Sequence, residues 1–137
     1  MSGLELALRI TGASHLLLAI AHIPISRHLG WKADIETASL LTRQIFWVHC
    51  FFICLVLTMM GALGVYDPQT LIARSQLGLY VTGGITLFWA IRLVCQWFVY
   101  DSALWRGKRF ETAMHVLFSA VWVLYVVVYG AAFRGQI

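Results

Sequence analysis

The chain has 137 residues, of which 61% are hydrophobic and 12% charged, with a formal net charge of +4 and five histidines. A mean hydropathy of +0.80 lies far outside the range of soluble globular domains. The ten basic residues are too few and too closely tied to the edges of apolar stretches to form a nucleic-acid surface, which leaves an integral membrane chain without a sizeable soluble domain.

Four apolar stretches, at about 4–26, 40–63, 77–99 and 110–133, are each long enough to cross a bilayer as a helix, which takes roughly 20 residues. The first lacks a basic lead, carries Glu5 and Arg9 one turn apart, and is too long for a cleavable signal, so a retained helix is expected. His15 and His22 are seven residues apart and share one face of it. Beside them run Gly12, Ala19 and Ser26, small residues that let a second helix or a macrocycle approach the backbone. Residues 27–39 form a polar connection in which the Asp34–Thr37 region is expected to cap a short interfacial helix.

The second span carries His49, with Arg43, Trp47, Cys50 and Cys54 as a stripe on another side. Cys50 and Cys54, one turn apart in a single helix, and Cys95 in the third span read as small buried hydrophobes rather than disulfide partners. Tyr66-Asp67-Pro68 in the 64–76 connection is a stop signal for the second helix. The third span has no histidine, but Arg92, Gln96 and Tyr100 recur at helical spacing as a polar ridge. Arg92 cannot lose its proton and no acid lies at its depth; either it reaches outward to Asp101 or Glu111, or an anionic ligand supplies the missing charge. The 100–109 turn is basic and aromatic, and its Arg106, Lys108 and Arg109 serve as positive anchors or neutralise propionates or phosphates. On the fourth span His115, Ser119, Trp122 and Tyr129 run down one face.

Short connections make consecutive helices antiparallel neighbours. The expected fold class is therefore an all-α integral membrane protein, an up-down-up-down antiparallel bundle of four transmembrane helices, with 1–137 as a single domain. Arg27, Lys32, Arg43, Arg106, Lys108 and Arg109 against Arg9, Arg74 and Arg134 place the 27–39 and 100–109 loops in the cytoplasm and both termini outside, in an inner or plasma membrane. Trp31, Trp97 and Trp105 fall at that cytoplasmic boundary; Trp47, Trp89 and Trp122 lie deeper, as core packing or as walls for a flat cofactor.

Four histidines inside apolar spans carry the functional reading, because ionisable groups in hydrocarbon are costly and imidazole is a good metal ligand. Counted inward from the cytoplasmic boundary, His22 and His115 are about five residues deep, His49 about nine and His15 about eleven. That gives two layers, His22 with His115 and His15 with His49, roughly 7–10 Å apart on the helical rise. Paired imidazoles from opposed helices suit b-type haem, with Arg92 and Trp122 as further cofactor contacts. The layout is, in general terms, that of four-helix membrane cytochromes, an analogy of fold alone. The leading expectation is a small redox protein holding haem b through His15, His22, His49 and His115 and exchanging electrons with a quinone or a partner subunit. The first alternative is a non-haem iron, copper or zinc enzyme or carrier on the same histidines. The second is a non-catalytic structural or assembly subunit associated with other membrane subunits or with copies of itself. No nucleophile–base arrangement is present, so an enzymatic role would be that of an oxidoreductase or electron-transfer subunit.

Overall fold

The computed structural model describes residues 1–137 and is all-α. Its elements are α1 (Gly3–His28), α2 (Trp31–Glu36), α3 (Leu40–Tyr66), α4 (Pro68–Ile72), α5 (Gln76–Phe98), a 3-10 turn (Ser102–Leu104) and α6 (Arg109–Gln136). α1, α3, α5 and α6 are long and apolar enough to cross a membrane. They match the four expected spans to within three residues at every end. Large apolar side chains stay exposed along all four, including Leu17, Phe51, Phe98 and Val116. In water such a surface would be an aggregation liability; against acyl chains it is the ordinary exterior.

Local chemistry sets the helix ends. Ser39 and Ser75 N-cap α3 and α5, accepting the backbone N–H of Thr42 and Gly78 at 3.3 and 2.9 Å. The Tyr-Asp-Pro stop acts as expected, but three residues later than the span boundary drawn from hydropathy. α3 runs to Tyr66, Asp67 is its C-cap, and Pro68 opens α4, where a missing N–H costs nothing. α2 is the short helix expected in the 27–39 connection. Its N-cap is Gly30, at φ +68°, and not the Asp34–Thr37 region, which supplies its last turn and C-cap. Pro24 lies inside α1, so the carbonyl of Ile20 has no N–H to accept there.

The chain divides into two compact units, each built on an antiparallel helix hairpin. The first, residues 9–67, holds most of α1 with α2 and α3. Near its open end, remote from α2, the two backbones touch: a Cβ on Gly12 would sit 2.8 Å from Val65 N and 2.9 Å from Gly61 O. One turn nearer the N-terminus of α1, an Arg9 Nη1–H donates to the carbonyl of Val65 at 2.6 Å. Two turns further along α1, the Cys54 thiol lies 3.8 Å from the carbonyl of Ala19. The small-residue stripe Gly12–Ala19 is thus a helix-packing seam with α3.

The second unit, residues 1–8 and 68–137, contains α4, α5 and α6. Its interior is aromatic. Trp89 stacks on Trp122 with centroids 4.7 Å apart and planes at 16°, and Tyr125 and Tyr129 are fully buried beneath them. Thr82 and Thr86 donate back to carbonyls of their own helix, satisfying hydroxyls that lipid could not. At the far end Gln136 donates to the carbonyl of Leu71 and accepts the N–H of Ser75, clamping the end of α6 to the α4–α5 corner.

Candidate functional site

Three of the four span histidines share one local arrangement. Nδ1 of His15 lies 2.6 Å from the carbonyl of Thr11, that of His22 2.8 Å from Leu18, and that of His49 2.8 Å from Ile45. A carbonyl only accepts, so in each ring Nδ1 carries the proton and donates one turn back along its own helix. Nε2 is then the nitrogen with the lone pair. Exposure separates the three: His15 is buried, His22 half-buried and His49 exposed.

The layering expected from depth does not hold in the first hairpin. Gly12 against Gly61 and Ala19 against Cys54 fix the register, seven residues forward on α1 for seven back on α3. His49 therefore lies level with Pro24, within a few residues of His22, while His15 is about nine residues away, roughly 13 Å along the axis. The discrepancy has a physical cause. Counting inward assumed that both helices start at a common plane, whereas in this register Leu40 lies about five residues beyond the end of α1. α2 folds back beside that overhang, its Trp31 meeting Phe46 edge-on at 5.7 Å.

His115 belongs to the second hairpin and is held quite differently. Gln96, 7% exposed, is the hub. Its Oε1 accepts from Arg92 Nη1 at 3.2 Å and from Trp122 Nε1 at 3.3 Å, and its Nε2 lies 2.9 Å from His115 Nδ1. Guanidinium and indole N–H groups can only donate, which fixes the amide orientation: the oxygen faces Arg92 and Trp122, and the NH2 faces His115. His115 Nδ1 is therefore an acceptor and its Nε2 bears the proton, the reverse of the other three histidines. Trp105 covers this ring in a parallel stack at 3.9 Å.

Arg92 completes the network. It reaches Tyr100 Oη at 3.5 Å, and its guanidinium carbon lies 5.4 Å from the Tyr100 ring centroid and 5.2 Å from that of Trp122. The expected ridge of Arg92, Gln96 and Tyr100 is thus present, and neither Asp101 nor Glu111 joins it. Asp101 instead accepts the N–H of Ala103 at 2.8 Å. Further along the same interface, Trp97 Nε1 donates to Ser119 at 3.2 Å.

Sequence reasoning singled out Arg92, His115 and Trp122 but did not join them. The joining element, Gln96, and the Trp105 lid depend on the α5–α6 register. Helical spacing on α5 points to Gln96, and the 105–109 turn falls just above the His22–His115 layer, but no spacing pairs the Trp105 ring with His115 itself. Cys50, Cys54 and Cys95 are free thiols. No three His, Cys, Asp or Glu side chains come together as a group that could hold a metal ion. Comparison with known proteins returns no matching family model, curated protein or solved structure.

Proposed function

We propose that the chain is a small membrane redox protein that holds b-type haem through histidines of its spans and exchanges electrons with a quinone or a partner subunit. The observation that supports this most directly is the shared tautomer of His15, His22 and His49. A ligating imidazole in a protein ordinarily donates its second ring N–H to a carbonyl or carboxylate, which fixes the ring and raises the basicity of the ligating nitrogen. All three meet that requirement within their own helices, before any cofactor is considered. Haem, when bound, would supply a one-electron centre whose potential depends on axial ligands and burial.

The ligand role falls on His15, His22 and His49, with His22 and His49 nearest in height. His115 is set as an N–H donor, so its role is to hold or donate to an acceptor. Turning its Nε2 into a ligand would require the Gln96 amide to flip against two donors. The exposure of His49 fits a ligand completed by another helix, which favours a partner subunit or a second copy of the chain. The non-haem alternative has no cluster of side chains to name as its ligand set. The cytoplasmic placement of the 27–39 and 100–109 loops in an inner or plasma membrane belongs to the same proposal, and reporter fusions at either loop test it.

The decisive experiment is an optical spectrum of gently solubilised protein, oxidised and dithionite-reduced, with metal analysis of the same sample. A Soret band with sharp reduced α and β bands is the expected result. A featureless spectrum with stoichiometric iron, copper or zinc refutes haem in favour of a non-haem site. Protein with neither refutes both and leaves a structural subunit whose histidines serve packing.

A further inference from the structure

The Arg92 network contains a charge that its own hairpin does not balance. Arg92 sits six residues inside the end of α5, about 9 Å along the axis, where a cation without a counter-ion is expensive. Its partners within the hairpin are an amide, a phenol and two aromatic faces. All of these are neutral. Gln96 and Tyr100 use two of its five N–H donors, and they hold the guanidinium in a fixed orientation.

Both hydrogen-bonding partners lie on the C-terminal side of Arg92, so the side chain points toward the membrane edge and not into the span. Arg106, Lys108 and Arg109 stand at that same end against Asp101 and Glu111, an excess of positive charge that draws anionic lipid to the edge. The fixed His115 tautomer adds a second N–H donor on the same network. What the network offers is therefore donors and positive charge at headgroup depth, with flat aromatic walls and no acid.

We infer that Arg92, oriented by Gln96 and Tyr100, binds the phosphate of an anionic lipid headgroup. This does not rest on the haem proposal: a chain that holds no haem would bind the lipid equally well. Gln96 and Tyr100 are positioning residues in this site, and Arg92 is the group that meets the phosphate.

The test is native mass spectrometry of the delipidated full chain in detergent, titrated with phosphatidylglycerol, with phosphatidylcholine, or with inorganic phosphate alone. Retention of phosphatidylglycerol over phosphatidylcholine is expected, with Arg92→Gln weakening it about tenfold and exposed Arg134→Gln, at the other end of the hairpin, leaving it unchanged. Circular dichroism and gel filtration establish that each variant folds. Should Arg92→Gln fail there, Arg92→Lys keeps the charge and the stem and should retain the lipid preference at several-fold lower affinity, because the fork is lost. Wild-type affinity in Arg92→Gln, or no preference between the two lipids, overturns the proposal. Inorganic phosphate that binds as tightly as the lipid assigns the site to a free anion and overturns the lipid assignment.

Discussion

Replacing Gly12 by Ala tests the α1–α3 seam, and with it the register that sets the heights of His15, His22 and His49. The added methyl would lie 2.8 Å from Val65 N and 2.9 Å from both Gly61 O and Gly64 C. The shortest of these is about 0.6 Å below the 3.4 Å at which ordinary contact begins, and all three partners are backbone atoms that no rotamer change can move. α1 and α3 must separate, loosening the contacts on either side. Overpacking of this kind costs about 1–3 kcal/mol, roughly a 5- to 150-fold change in the unfolding equilibrium. Reversible unfolding in mixed micelles, followed by helical circular dichroism, reads that change. Gly84→Ala is the control, since nothing lies within 4 Å of its added methyl. It should be neutral or stabilise by up to about 1 kcal/mol through helix propensity. Equal stability of Gly12→Ala and Gly84→Ala would refute both the close approach and the register derived from it.

Gln96→Leu removes the acceptor for Arg92 and Trp122 and the donor to His115; at about 1 kcal/mol per lost hydrogen bond, it should cost about 2–4 kcal/mol in the same assay. A cost below about 1 kcal/mol would mean that the network does not hold α5 to α6. If the chain binds haem as proposed, His22→Ala and His49→Ala should each diminish the Soret band, whereas His115→Ala should leave ligation intact; a band lost only in His115→Ala would reverse the tautomer argument. Gln136→Ala loses the bonds to Leu71 and Ser75, and faster amide hydrogen exchange at Ser75 and the first turn of α5, by roughly five- to tenfold, is expected. Unchanged exchange there would show that the corner is held by other contacts.

The four spans were legible because an apolar run of bilayer length has few structural alternatives, and Ser39, Ser75 and Asp67-Pro68 mark helix ends by simple chemistry. The fold class follows from those runs and the short connections between them. Register was not legible from depth. Span ends drawn from hydropathy mark the approximate membrane boundary, whereas the height of His49 against His22 is set by where Gly12 meets Gly61. That contact had a signal in the small residues themselves, and pairing Gly12 with Gly61 and Gly64 would have located it. Within the candidate site, the Arg92–Gln96–Tyr100 ridge was visible because it lies on one helix at one spacing. Its link to His115 and Trp105 crosses between α5, the connecting turn and α6, and no spacing in the sequence encodes that.

The single residue between α3 and α4 has a consequence for how the protein is made. Asp67 ends one hairpin and Pro68 begins the other, and each hairpin carries its own interior contact, backbone against backbone in one and Trp89 against Trp122 in the other. Residues 9–67 hold everything the first seam needs, so it can close in the bilayer while α5 and α6 are still being synthesised. The first turns of α1, through Leu8, group with the later unit, so the segments they pack with come after Pro68 in the chain. Order along the chain is thus built into the molecule: residues 3–8 await segments made after residues 9–67 already hold their own seam.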